Sequence, residues 1–231
     1  SGAGGMDLGF EGGFKVLTDS INKEINSHWI TKKVEDHWSV VKQTRFKTVF
    51  ANDILKDAQL AWNNYFGNNL GISEDIYKLG SIVDIVKKYK EDGINPFPEN
   101  IDVVTGGFPC QDFSIAGKRQ GFQSKKTHQG LMAEAGTPSI ESRGQLYMWM
   151  REVIAITKPK VFIAENVKGL VNLGDVKEII EDDFRNIGDG YLVVPAKVLH
   201  AGEFGVPQSR ERVIFIGFRR DSLKKEAIRE L

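Results

Sequence analysis

Gly106-Gly107-Phe108-Pro109-Cys110-Gln111-Asp112-Phe113-Ser114 is the stretch whose reading decides the fold. Ahead of it stands Ile101-Asp102-Val103-Val104-Thr105, an apolar run of the length of a short buried strand. Two glycines and a proline are expected to end that strand and turn the chain sharply. The one cysteine of the chain, Cys110, sits in the turn. A thiol held at a rigid strand end, among free backbone amides, is placed to attack an electrophile. A buried cysteine acting as a small hydrophobe is the other reading of the same residue.

Working outward, strands and helices alternate. Phe46-Lys47-Thr48-Val49-Phe50-Ala51 reads as a β-branched and aromatic strand running into Asn52-Asp53-Ile54. Residues 54–66 predict a helix with Leu55, Ala58, Ala61, Trp62 and Tyr65 on one face. After Asp75-Ile76, Ser81 with Asp84 resembles a capping box, Ile82, Ile85, Val86 and Tyr89 form a buried stripe, and Gly93 and Pro96 end that helix. Beyond the cysteine loop a helix starts near Gly144, with Leu146, Met150, Val153 and Ile154 inward. Lys160 to Ala164 is a strand ending in Glu165-Asn166-Val167; residues 175–187 form an amphipathic helix; Tyr191 to Leu199 and Arg212 to Phe218 are strands. This alternation predicts an α/β fold with a mostly parallel sheet, whose ligands bind beyond the carboxyl ends of the strands. Cys110, Glu165 and Asp53 lie at such ends, whereas Arg210 and Arg212 begin their strand.

Gly2, Gly4 and Gly5 precede an apolar-spaced segment and suggest a strand-to-helix turn that a ligand can approach closely; a flexible glycine-rich end is the competing reading. An acid at position 53 can accept hydrogen bonds from a ribose, or simply complement a helix dipole. Residues 15–45 fit no compact strand-helix unit and are expected to be a partly helical insertion. Their His28 and His37 lack cysteine or carboxylate companions at ligand spacing, so no metal site is expected. Residues 123–141, with Lys125, Lys126 and His128, form a second insertion, a long polar loop that is either a lid or an inert surface feature.

Composition bounds the classes. The chain has 231 residues, 41% hydrophobic and 27% charged, as a globular domain requires. Lysine plus arginine equals aspartate plus glutamate at 31 each, so any nucleic-acid contact must come from a local basic surface. A single cysteine fits a reducing compartment, and no apolar run approaches the roughly 20 residues of a membrane span.

A thiolate can add to an electron-poor ring carbon while a buried carboxylic acid protonates a ring nitrogen and an arginine holds the ring carbonyl. A pyrimidine offers all three features. A structural ion pair is the alternative for Glu165 and Arg212. Here a resemblance becomes plain. Gly107-Phe108-Pro109-Cys110-Gln111, Glu165-Asn166-Val167 and Gln208-Ser209-Arg210-Glu211-Arg212 resemble, in order, the three catalytic signatures of the cytosine-C5 DNA methyltransferases of bacterial type. Ser1 to Gly5 is similar to the end of that family's cofactor glycine motif, Asn52-Asp53 to its ribose-binding acid, and Asp75-Ile76 to its adenine-contacting pair.

The resemblance implies a Rossmann-like, S-adenosylmethionine-dependent methyltransferase fold and, as substrate, a cytosine flipped out of double-stranded DNA. It implies that Cys110 attacks C6, Glu165 protonates N3 and Arg212 holds O2, with Arg210 and Gln208 supporting the loop. Gly2, Gly4, Gly5, Asp53, Ile54, Asp75, Ile76, Pro109 and Leu146 would surround the cofactor, with no metal, and Ser114 would contact a phosphate. The whole of 1–231 then reads as a catalytic domain. Its first strand and the target-recognition region are expected to lie outside the sequence, the latter in a trimmed part or on a second chain. A cytoplasmic, nucleoid-associated bacterial protein of the kind found in restriction-modification systems, partnered with double-stranded DNA and not with a membrane, is the implied setting; whether a restriction enzyme accompanies it is left open. Relatives acting on tRNA, or a non-catalytic binding module, are the alternatives.

Overall fold

The computed structural model describes residues 1–35, 37–108 and 147–230. Pro109, Cys110, Ser114, Gly144, Leu146 and the insertion at 123–141 lie outside the described residues. The chain forms two compact units, one of Ser1–Ser81 with His200–Glu211 and one of Ile82–Leu199 with Arg212–Leu231.

In the first unit, helix α1 (Gly5–Glu11) follows the glycine turn. Strands β1 (Lys15–Leu17), β2 (Ile30–Glu35) and β3 (Trp38–Val41) then make an antiparallel sheet in the order β1-β3-β2. The insertion expected to be partly helical is therefore built mainly of strands, with only short helical turns such as α2 (Lys23–Asn26) between them. β-Branched residues at 16, 30, 40 and 41 favour the pleated surface. A buried Thr18–Ser39 hydroxyl pair at 2.8 Å ties the inner face.

Strand β4 is only Ala51–Asp53, parallel to β5 (Tyr77–Leu79). The expected strand at 46–51 is thus mostly unladdered: Phe46 packs its ring against Phe10 instead, centroids 5.1 Å apart. Helix α3 (Lys56–Leu70) carries the core of this unit, because Trp62 and Phe66, both fully buried, stack at 4.4 Å over Ala51 and Tyr77. Burying two such rings stabilises the unit by roughly 2–3 kcal/mol each. The helix stops at Gly71, whose φ of 66° lets its N–H turn back to the last turn.

The second unit contains α4 (Ile82–Asp92), β6 (Val103–Gly107), α5 (Tyr147–Thr157), β7 (Val161–Val167), α6 (Val176–Arg185), β8 (Tyr191–His200), β9 (Glu211–Arg219) and α7 (Lys225–Glu230). Its sheet runs β6-β7-β9-β8, with β6 parallel and β9 antiparallel to β7. The α/β expectation holds, with parallel neighbours at β4/β5 and β6/β7. The glycines expected to end β6 instead continue it, because β7 supplies ladder partners as far as Gly107↔Glu165. In α4 the fully buried residues are Val83 and Val86; Ile82 and Ile85 are half-buried.

Alternation along β7 divides its two faces. Phe162, Ala164 and Asn166 are buried and join Phe184, Val213 and Phe215 in the core, while Glu165 and Val167 point to the half-buried face. Gly217 faces Phe162 across the β7–β9 pair, where an added Cβ would come within 2.1 Å of the Phe162 ring. Only glycine fits that position. On α6, Glu181 is buried, yet its carboxylate accepts from Lys177, from Arg185 at 3.0 Å and from the Ala196 N–H at 2.8 Å. It is a satisfied structural acid.

Candidate active site

Antiparallel pairing explains why an arginine at the start of a strand belongs with an acid at the end of another. Val167 pairs with Arg212 and Glu165 with Ile214, so Glu165 and Arg212 are diagonal neighbours on one face of the sheet. Arg212 Nε lies 2.6 Å from Glu165 Oε1, and each side chain is about a quarter exposed. A charge-assisted contact of that length fixes the orientation of the carboxylate. Beneath it the backbone is bare: a Cβ on Gly107 would stand 3.0 Å from Glu165 Oε2. Glycine at 107 leaves room for an acid that leans over β6, just ahead of the cysteine loop in the sequence.

Next to this pair, Asn166 is 1% exposed. Its Oδ1 accepts from the Val167 N–H at 2.8 Å, while its Nδ2 has no hydrogen-bond partner among the described residues. Gln208 and Arg210 belong to the other unit and have exposed side chains. Their segment is held by backbone bonds, Arg210 N–H to Gln208 O at 3.0 Å and Ala201 N–H to Arg210 O at 2.8 Å. At Gly205, φ is +79° and an added Cβ would lie 1.8 Å from the Ser20 carbonyl, so this turn packs backbone to backbone on the first unit.

Of the residues expected at the cofactor, Gly2 and Asp53 are joined directly within the first unit, and Pro109 and Leu146 lie outside the described residues. The Gly2 N–H donates to Asp53 Oδ2 at 3.1 Å, and the Tyr77 hydroxyl donates to Gly2 O at 3.1 Å. The Leu55 N–H donates to Asp53 Oδ1 at 3.0 Å, and the Gly80 N–H donates to Asp53 O at 2.9 Å. Asn52 Nδ2 donates to the carbonyls of Lys78 and Gly80 at 2.7 and 3.0 Å, locking the ends of β4 and β5 together. Gly4, at φ +91°, lies flat on the aromatic stack; a Cβ there would reach 2.3 Å from Phe66. Asp7 is buried and accepts from Trp62 Nε1 at 2.8 Å. Burial raises its pKa above the ordinary aspartate value, although the Trp62 bond opposes the shift. Burial first, then the charges of Asp53 and Asp7, push the Tyr77 phenol up to about 12, so it remains a donor to the glycine turn at neutral pH.

This donor set fits S-adenosylmethionine. Asp53 is half-buried and keeps a second acceptor site on each oxygen for a hydroxyl. Asp75 is exposed, its amide taken by Ser73 Oγ at 3.3 Å, and Ile76 packs on the Trp62–Phe66 core beside it. Ile54 is 57% exposed just past β4, and at Gly2 and Gly5 an added Cβ would meet nothing within 4 Å. Sequence reading missed Tyr77 and Asp7. Tyr77 opens a strand of three residues, too short to show alternation, and Asp7 looks like an ordinary acid in a first helical turn.

The structure is an α/β domain with parallel strand neighbours and an acid–arginine pair on the β7–β9 face, and the comparison with known proteins narrows this class. The chain belongs to the C-5 cytosine-specific DNA methylase family, whose match covers residues 1–230. It is 32% identical over 95% of its length to the type II methyltransferase M.BspRI of Lysinibacillus sphaericus, and 33% identical over 96% to M.NgoFVII of Neisseria gonorrhoeae. The chain spans 43% of the length of each of these curated relatives. Among solved structures, it is similar to the S. pombe Dnmt2 methyltransferase, with 20% identity, a TM-score of 0.48, and coverage of 77% of this chain and 44% of that one. No helix among the described residues is long and apolar enough to cross a membrane.

Proposed function

We propose that this chain is the catalytic part of a DNA (cytosine-5-)-methyltransferase, moving a methyl group from S-adenosylmethionine to C5 of a cytosine flipped out of double-stranded DNA. The observation that carries the reading is the 2.6 Å Glu165–Arg212 pair above the bare backbone of Gly107. An acid and a guanidinium held side by side match N3 and O2 of a cytosine, which are adjacent acceptors on one ring edge.

Cys110 is the proposed nucleophile. Its thiolate forms a bond to C6 as Glu165 delivers a proton to N3, and Arg212 steadies O2. The electrons displaced from the C5–C6 bond make C5 nucleophilic. The cofactor, when bound, supplies an electrophilic methyl group. C5 afterwards loses its proton to a base, the C5–C6 double bond re-forms as the C6–sulfur bond breaks and releases the thiolate, and N3 returns its proton to Glu165. Gln208 and Arg210 support the arginine segment, Asp53 and Asp75 hold the ribose and adenine ends of the cofactor, and Gly2, Gly4, Gly5, Ile54, Ile76, Pro109 and Leu146 shape its surroundings. Base readout belongs to a further region, in the same protein or on a second chain.

The test is transfer of labelled methyl from S-adenosylmethionine to mixed-sequence duplex DNA by the full-length protein, beside Cys110→Ser. Label that enters DNA and vanishes with the variant supports the reading. Absence of label from DNA, with cofactor binding intact, or equal labelling by the variant, overturns it.

A further inference from the structure

We infer that the segment at 42–48 is a phosphate-contacting strap for duplex DNA, separate from the catalytic pair; the inference rests on the DNA-directed reading above. From His37 to Ala51 the sequence contains Lys42, Arg45 and Lys47 and no aspartate or glutamate, in a chain of zero net charge. The segment is held at its start by the Lys42 N–H, which donates to Trp29 O at 2.6 Å, and further along by α1. Thr44 N–H donates to Glu11 O at 2.9 Å, and Thr44 Oγ1 donates to Phe10 O. The Phe46 ring meets the Phe10 ring edge to face at 5.1 Å, and Thr48 N–H donates to Glu11 Oε1. Positions 44, 46 and 48 thus fasten the segment to α1.

Arg45 and Lys47 are exposed, as is Lys42, and none of the three forms an ion pair among the described residues. The nearest acid along this contact, Glu11, is buried at 4% exposure and occupied by the strap's own amide. Backbone contact at Gly12 is equally close, since an added Cβ would lie 2.2 Å from Lys42 O. The result is three exposed, uncompensated cations within six residues of chain, on a segment fixed to the helix that follows the cofactor turn. Rows of cations without base-reading partners suit the charged backbone of DNA, whose binding then depends steeply on salt.

The experiment compares the full-length protein with Lys42→Gln/Arg45→Gln/Lys47→Gln, and with a control of equal charge change on exposed lysines elsewhere, Lys88→Gln/Lys224→Gln/Lys225→Gln. Binding to duplex DNA is measured across a salt series, with cofactor affinity and thermal melting as checks of folding. The strap variant is expected to lose about two to three from the slope of log K against log salt, and about tenfold or more in affinity at low salt. The control should keep its slope. An unchanged slope in the strap variant, equal losses in strap and control, or a loss seen on single-stranded RNA but not on duplex DNA would overturn the inference. Failure of wild type to methylate DNA would instead strike the proposed function, because the salt slope is read from binding alone.

Discussion

A Cβ added at Gly107 would stand 3.0 Å from Oε2 of Glu165, its register partner across the parallel β6–β7 pair. The missing side chain is therefore part of how the acid is aimed. Gly107→Ala should displace the carboxylate by a few tenths of an ångström and slow methyl transfer about tenfold. Stability should change by less than about 1 kcal/mol, because position 107 is exposed and alanine suits a strand no worse than glycine. Single-turnover rates beside thermal melts test this; an unaltered rate would mean that the carboxylate does not act in the chemical step.

Removing the partner of that acid should separate chemistry from stability. With both side chains about a quarter exposed, the Glu165–Arg212 pair contributes only about 1 kcal/mol to folding. Arg212→Ala should nonetheless lower methyl transfer by about 100- to 1,000-fold, the usual cost of deleting a group that steadies developing charge. Arg212→Lys should recover little, since the ammonium cannot reproduce the planar fork. A loss of rate matched by an equal loss of stability would point to a structural ion pair.

At the glycine turn the effect should run the other way. Gly4→Ala places a Cβ 2.3 Å from the Phe66 ring at a φ of +91°. Overpacking and backbone strain together should cost about 3 kcal/mol. The melting temperature should fall, and cofactor affinity measured by calorimetry should fall with it. A stable variant with normal affinity would show that the turn does not need its close approach to the stack.

Asp7 gives the protein an acid-range dependence. Its pKa in the folded state is raised above the ordinary 3.8, chiefly by burial, so the native chain holds this proton more tightly than the unfolded chain. The stability it contributes is complete below the unfolded value and is lost as pH rises through the folded one. Asp7→Asn keeps an acceptor for Trp62 Nε1 and removes the titration. The variant's denaturation curve should therefore flatten from about pH 4 upward, and at pH 7 it should equal or exceed wild type. A wild-type profile already flat across that interval would contradict the assignment.

Much of this architecture was legible in the residues. Helices α4, α5 and α6 announced themselves by period and by stops such as Gly93, whereas α3 runs four residues past its expected end at 66 and buries Trp62 and Phe66, with the expected inner residues Leu55 and Ala61 exposed. The strands were harder. β5 is three residues long, and β6 runs through two glycines because its ladder partners lie on β7, some sixty residues away. The insertion that folds as β1-β3-β2 mixes charges and aromatics without a clean alternation, so pairing across it was invisible one segment at a time. Asp53 and the glycine turn could be nominated separately, but their 3.1 Å bond depends on bringing positions 2 and 53 together. The Glu165–Arg212 pair was reached through motif resemblance; its physical reason, a return strand running antiparallel beside β7, belongs to topology.

That return strand has a keyed alignment. Gly217 can lie only where Phe162 needs the space, and Arg212 is five residues upstream on the same strand. Sliding β9 by a single residue would drive a side chain into the Phe162 ring and, at the same stroke, swing Arg212 through the sheet to the core side. The hydrophobic fit at one end of β9 thus works as a gauge block for the other: a glycine remote from any chemistry determines which way the arginine faces.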